Sequence, residues 1–178
     1  MRASNWSRII AGLAIAAPIP YVAYAEVYLT ESQAASVLFP GILLKASWVE
    51  LTPQEVKRIE KSSGGRVLSP RVRIWTGPDG QTVMIDRVLG KHEFINYAVA
   101  ITPEGKVQGI EILDYQETYG YQIREQKWRA QFVGKSVQDP LKLDKDIVNI
   151  SGATLSCAHI TNGVRRVLRT YEILKSKT

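Results

Sequence analysis

The chain of 178 residues contains one cysteine, Cys157, and two histidines, His92 and His159. A single cysteine excludes an intramolecular disulfide and a cysteine-rich metal site, and two histidines exclude a histidine cluster. Cys157-Ala158-His159 lacks the second cysteine that a c-type haem attachment needs. The net charge of +6 is also thin, because Arg2 and Arg8 supply two of it and the other basic residues are scattered. Nucleic acid is not an expected partner, since such a surface needs a clustered basic stripe with interleaved aromatics. Internal repeats and low-complexity tracts are missing. So is any grouping of acid, base and nucleophile that reads as a hydrolytic machine.

What is present suits a globular domain. Apolar residues make up 45% of the chain, and the length supports one domain with a core. The first 25 residues differ from the rest. Arg2 and Arg8 form a basic start, Ile9 to Ala17 is apolar, Pro18 and Pro20 interrupt it, and Ala23-Tyr24-Ala25 has the small-x-small pattern of a signal-peptidase site. The uncharged stretch from Ile9 to Ala25 lies at the lower edge of what spans a bilayer. Residues 1–25 are expected to be a cleaved signal peptide, with an uncleaved N-terminal anchor as the alternative. Either places the body outside the cytoplasm, in a bacterial periplasm.

Beyond that segment the punctuation predicts helices at both ends and strands between. A short helix is expected at Glu31–Leu38, before Pro40. Thr52, Pro53 and Glu55 form a capping box that opens a helix running to about Ser62, stopped by Gly64-Gly65. Arg71–Thr76 and Gln81–Leu89 read as a hairpin around Gly77-Pro78-Asp79-Gly80. Phe94–Thr102 and Lys106–Asp114 read as a second around Pro103-Glu104-Gly105. Tyr121–Phe132 is helical or irregular, and residues 133–145 are a polar connection. A final helix over Leu155–Leu174 carries Ile160, Val164, Val167, Leu168, Tyr171 and Leu174 at three- and four-residue steps. Arg165, Arg166 and Arg169 fall off that stripe and are expected on a solvated face. Tyr115 and Tyr121 are expected to pack, and Cys157 to be a buried thiol. The fold class expected is α+β: a twisted antiparallel sheet with packed helices.

Ser151-Gly152-Ala153-Thr154, at the mouth of that helix, is the most informative stretch. Free N–H groups and the positive end of a helix dipole converge there, a geometry that suits phosphate. Gly152 and Ala153 leave room for close approach, and Thr154 adds an alcohol.

Ser151-Gly152-Ala153-Thr154-Leu155-Ser156, followed by Asn162-Gly163-Val164, resembles the flavinylation motif of the FMN-binding domain. Tyr115-Gln116-Glu117-Thr118-Tyr119-Gly120 resembles the family's Glu-Thr-Pro-Gly loop after a strand. Trp128, Phe132 and Gly134-Lys135 also sit where the family has similar residues. The resemblance covers roughly residues 88–172. It divides the body into residues 26–87, an N-terminal part with helix and hairpin, and residues 88–178, an FMN-binding domain. The family includes the C subunit of sodium-translocating NADH:quinone reductases, the G subunit of Rnf complexes and small exported flavoproteins.

The resemblance implies FMN as cofactor, linked through its phosphate to the hydroxyl of Thr154 by a magnesium-dependent flavin transferase that uses FAD. It also implies that Ser151, Gly152, Ala153, Ser156, Glu117, Thr118 and Gly120 line the cofactor site, in a cleft between the sheet and the last helix. The family's aspartate six residues before the acceptor is Val148 here, with Asp146 and Asn149 nearby, and its loop proline is Tyr119, placed to stack on the flavin. The implied function is electron transfer with a membrane-bound redox protein, rather than a self-contained enzyme. Two alternatives stand beside it: a catalytic periplasmic flavin reductase domain, and a cofactor-free binding or assembly module.

Overall fold

A computed structural model describes residues 26–117 and 120–177. The segment expected to direct export lies outside the described residues, as do Thr118 and Tyr119. The fold is α+β, built on one antiparallel sheet. Its strands are β1 (Glu26–Val27), β2 (Lys45–Glu50), β3 (Arg71–Thr76), β4 (Thr82–Leu89), β5 (Phe94–Ile101) and β6 (Val107–Tyr115), in the spatial order β1-β6-β5-β4-β3-β2. The helices are α1 (Glu31–Leu38), α2 (Pro53–Ser63), the single turn α3 (Gln126–Arg129) and α4 (Thr154–Lys175). Short 3₁₀ turns at Tyr121–Arg124 and Ala130–Phe132 flank α3. No helix among the described residues is long and apolar enough to cross a membrane.

Local chemistry sets the helix starts. The Thr52 hydroxyl accepts from the Glu55 N–H at 3.3 Å, and the Glu55 carboxylate accepts from the Thr52 N–H at 2.8 Å. Thr30 and Gln33 make the same reciprocal pair ahead of α1. Left-handed Gly64 ends α2.

The sheet is covered on both faces, and the side chains of β5 explain how. Ile95, Tyr97, Val99 and Ile101 point to the face on which α4 lies, joining Met84, Val88, Ile110, Ile160, Val164 and Leu168 in the main core. Ala98 and Ala100 point the other way, where their small size lets Ala34, Ala35 and Leu38 of α1 approach. A strand buried on both faces reads as an unbroken apolar run, as residues 97–101 of β5 do. A smaller cluster of Leu51, Ile59 and Ile173 ties α2 to the end of α4.

One strand was not foreseen, and two expectations are corrected. Residues 45–50 form a strand, β2, which pairs with β3 from Lys45↔Thr76 to Glu50↔Arg71. It occupies the sheet edge and exposes most of its side chains on both faces, so no apolar alternation marks it. The arginines of α4 are not a solvated face. Arg166 is buried and binds the Asp86 carboxylate at 2.6 Å and the carbonyls of Arg66 and Arg87. Arg165 donates to the Ser63 carbonyl at 2.6 Å, and Arg169 to the Val137 carbonyl at 2.9 Å. Tyr121, expected to pack, is 59% exposed.

Candidate flavin site

α4 begins at Thr154, and the turn before it sets how the threonine is presented. The Ala153 N–H donates to the Ile150 carbonyl at 2.9 Å, closing a turn in which Gly152 has φ +83°. That position of a turn demands positive φ, which glycine adopts without strain. Ser151, Gly152 and Thr154 are exposed, whereas Ala153 is buried and anchors the turn. No atom lies within 4 Å of where a Gly152 side chain would project.

The start of α4 is open. α1 and α2 close their first turns with capping boxes, but the α4 N-cap residue is Ala153, and no side chain caps it. The first N–H groups of a 22-residue helix are thus free to bind an anion beside the Thr154 hydroxyl, where the helix dipole favours negative charge.

The structure brings the two sequence motifs together. Gly120 packs against Ala153 and Tyr115: a Cβ placed on it would lie 3.1 Å from the Ala153 Cβ and 2.6 Å from the Tyr115 hydroxyl. With φ +89°, glycine is required there by conformation and by space alike. The Tyr115 hydroxyl in turn meets the Ser156 hydroxyl at 3.3 Å. Ser156 is buried, so its side chain braces α4 against β6 rather than facing outward. Cys157, beside it, is buried as expected, and burial pushes its thiol pKa up.

Glu117 reaches across to the β4–β5 loop, accepting from the N–H groups of His92 at 2.7 Å and Glu93 at 3.1 Å. Burial opposes its ionisation. The N–H groups of His92, Glu93 and Lys91 outweigh that and hold the carboxyl below its ordinary value. Its carboxylate therefore fixes the β4–β5 loop. Thr118, placed in the site by sequence, lies outside the described residues.

The segment leading to Thr154 is held by groups that the sequence did not connect. The Trp128 indole N–H donates to the Val148 carbonyl at 2.8 Å, and the Val148 N–H donates to the Gln131 side chain at 2.7 Å. Trp128 is buried edge-on against Phe132, with ring centroids 5.2 Å apart. The Asn149 side-chain amide donates to the Thr154 hydroxyl oxygen at 3.1 Å. A cavity of about 350 Å³ lies elsewhere, where the β3–β4 ladder stops, and Trp48, Arg71, Asp86 and Arg166 help to line it. None of the motif residues does.

Residues 90–169 match the FMN-binding domain. The likeness is confined to this part of the chain. The match runs from the β4–β5 loop through β5, β6 and the α3 region into α4, and so includes both motifs. FMN is the cofactor such a domain binds, and the residues at Thr154 fit it: an exposed hydroxyl, an uncapped helix start and an open glycine turn, all suited to a phosphate. No curated protein sequence matches the chain.

Proposed function

We propose that the protein is an exported flavoprotein that holds FMN covalently on Thr154 and relays electrons between a membrane-bound redox protein and a second carrier. The observation that carries this reading is the exposed Thr154 hydroxyl at the uncapped start of α4, inside a matched FMN-binding domain. The Thr154 oxygen forms a bond to the flavin-side phosphorus of FAD, the bond from that phosphorus to AMP breaks, and AMP and the hydroxyl proton leave. The phosphodiester left on Thr154 carries one negative charge, which the first-turn N–H groups of α4 accommodate.

The bound flavin supplies reversible electron transfer. The chain's own residues bind and orient it. Leu155, 49% exposed, follows the acceptor, Val148, 68% exposed, precedes it by six residues, and Tyr121 follows the Gly120 that packs on Ala153. These exposed apolar groups suit the flavin ring, and the Glu117-tied loop adds a polar edge. Covalent attachment fits an exported carrier, because a dissociated cofactor is lost to the medium.

The test is co-production with a flavin transferase, followed by denaturing electrophoresis and intact-mass measurement. The full chain is expected to fluoresce in the gel and gain the mass of FMN less water. Thr154→Ala should do neither. Retention of flavin by that variant places the attachment elsewhere.

A further inference from the structure

Three side chains shortly before Thr154 are candidates to position its hydroxyl, one of them at the place of the family's aspartate. Val148, which occupies that place, offers no charge and is largely exposed. The Asp146 carboxylate is committed elsewhere: it accepts from the N–H groups of Leu141 at 3.0 Å and Lys142 at 2.7 Å and faces Lys135 at 3.6 Å. Asn149 remains. Its Nδ2 donates to Thr154 Oγ1 at 3.1 Å, and its Oδ1 is buried without a partner among the described residues. Thr154 is thus the one hydrogen-bond partner of this amide in the described structure. Its backbone is aimed by the neighbouring residue, since Val148 is pinned at its N–H by Gln131 and at its carbonyl by Trp128.

We propose that Asn149 is the positioning residue for flavinylation of Thr154, and that an amide is needed there rather than a carboxylate. The proposal rests on Thr154 being the FMN acceptor. Before transfer the threonine hydroxyl both donates and accepts, so an amide or a carboxylate can orient it. During transfer the Thr154 oxygen–phosphorus bond forms, the phosphorus–oxygen bond to AMP in FAD breaks, and the hydroxyl proton is released. The product offers acceptors only and is an anion. An N–H donor keeps its bond through the whole change, first to the threonine oxygen and then to the ester or phosphate oxygens. A carboxylate in its place faces the new negative charge with no proton between them.

The experiment uses the full chain, unmodified, with purified flavin transferase, FAD and magnesium, read as mass gain against time. Asn149→Ala is expected to lower the initial rate about tenfold, the scale of one lost hydrogen bond. Asn149→Asp is expected to be slower still, and both variants should melt with wild type before modification. In the flavinylated wild-type protein the Asn149 side-chain NH₂ resonances should shift, and the phosphodiester ³¹P resonance should move in the alanine variant. Wild-type rates in both variants, a faster Asn149→Asp, or Asn149 NH₂ resonances unmoved by flavinylation would each overturn the proposal. The NMR reading needs no variant to fold. A wild-type chain that gains no mass, or a Thr154→Ala chain that gains it, overturns the Thr154 reading itself and this proposal with it.

Discussion

At the scale of single residues, two positions on α4 show how much one atom decides. Thr154 is useful because its hydroxyl is exposed at a helix start with no competing cap. Gly163, further along, is useful because it has no side chain. A Cβ there would sit 2.2 Å from the Tyr97 hydroxyl and 2.9 Å from Val88 Cγ1. Tyr97 is fully buried, and its hydroxyl donates to Asp86 at 2.7 Å, so it has no room to retreat. Gly163→Ala improves helix propensity by about 1 kcal/mol, but overpacking of this kind costs about 1–3 kcal/mol. The clash is close enough for the loss to win, and a lower melting temperature in a thermal scan is the expected result. A variant as stable as wild type would show that α4 does not press on Tyr97. The resemblance to a known motif pointed to Asn162-Gly163-Val164, but the reason for the glycine lies on β5 and appears only when helix and sheet are packed.

At the scale of elements, the tie between Glu117 and the β4–β5 loop makes a pH-dependent claim. A carboxyl whose folded pKa is depressed contributes stability above its unfolded value and loses it as pH falls through the folded value. The tie should therefore be intact at neutral pH and should release only below the ordinary glutamate range of about 4.3. Amide proton shifts of His92 and Glu93 followed by NMR during an acid titration are expected to inflect below that range. Glu117→Gln, which keeps a weaker acceptor and loses the charge, should abolish the inflection. An inflection at or above the ordinary value would show that the loop N–H groups do not hold the carboxylate. Helix starts and the two central hairpins were legible in sequence, because caps and turns are written in a few adjacent residues. β2 was not, because an exposed edge strand carries no alternation to read.

For the whole molecule, the decisive contact is Arg166, which reaches from α4 to the point where β3 and β4 part. The β3–β4 ladder runs from Arg73↔Ile85 to Thr76↔Thr82 and no further. Arg166 lines one side of that gap and binds the Asp86 carboxylate and two backbone carbonyls, with its side chain only 8% exposed. Removing one partner of a buried ion pair leaves the other uncompensated, at a cost of about 3–5 kcal/mol. Asp86 retains some solvent contact, at 22% side-chain exposure, so Arg166→Met should cost about 3 kcal/mol, the lower end of that range. Chemical denaturation of the two proteins measures it directly. A loss under about 1 kcal/mol, the size of an exposed pair, would mean that the apolar contacts of α4 hold the sheet alone. The sequence offered three arginines off an apolar stripe, which is the pattern of a solvated face. The structure buries one of them because Asp86 sits opposite, 80 residues earlier in the chain.

What could be read along the chain was local: the cofactor class through two short motifs, a threonine hydroxyl at a helix start, the capped helices and the paired hairpins. Each follows from residues within a few positions of one another, where backbone preference and hydrogen bonding act directly. Which groups surround the turn before Thr154 came from packing alone. Gly120 touches Ala153, Trp128 pins Val148 and Glu117 holds the loop at His92 because the sheet and α4 bring distant segments within hydrogen-bonding range. Contacts between residues remote in sequence depend on the packing of the whole core, and no run of neighbouring residues encodes them.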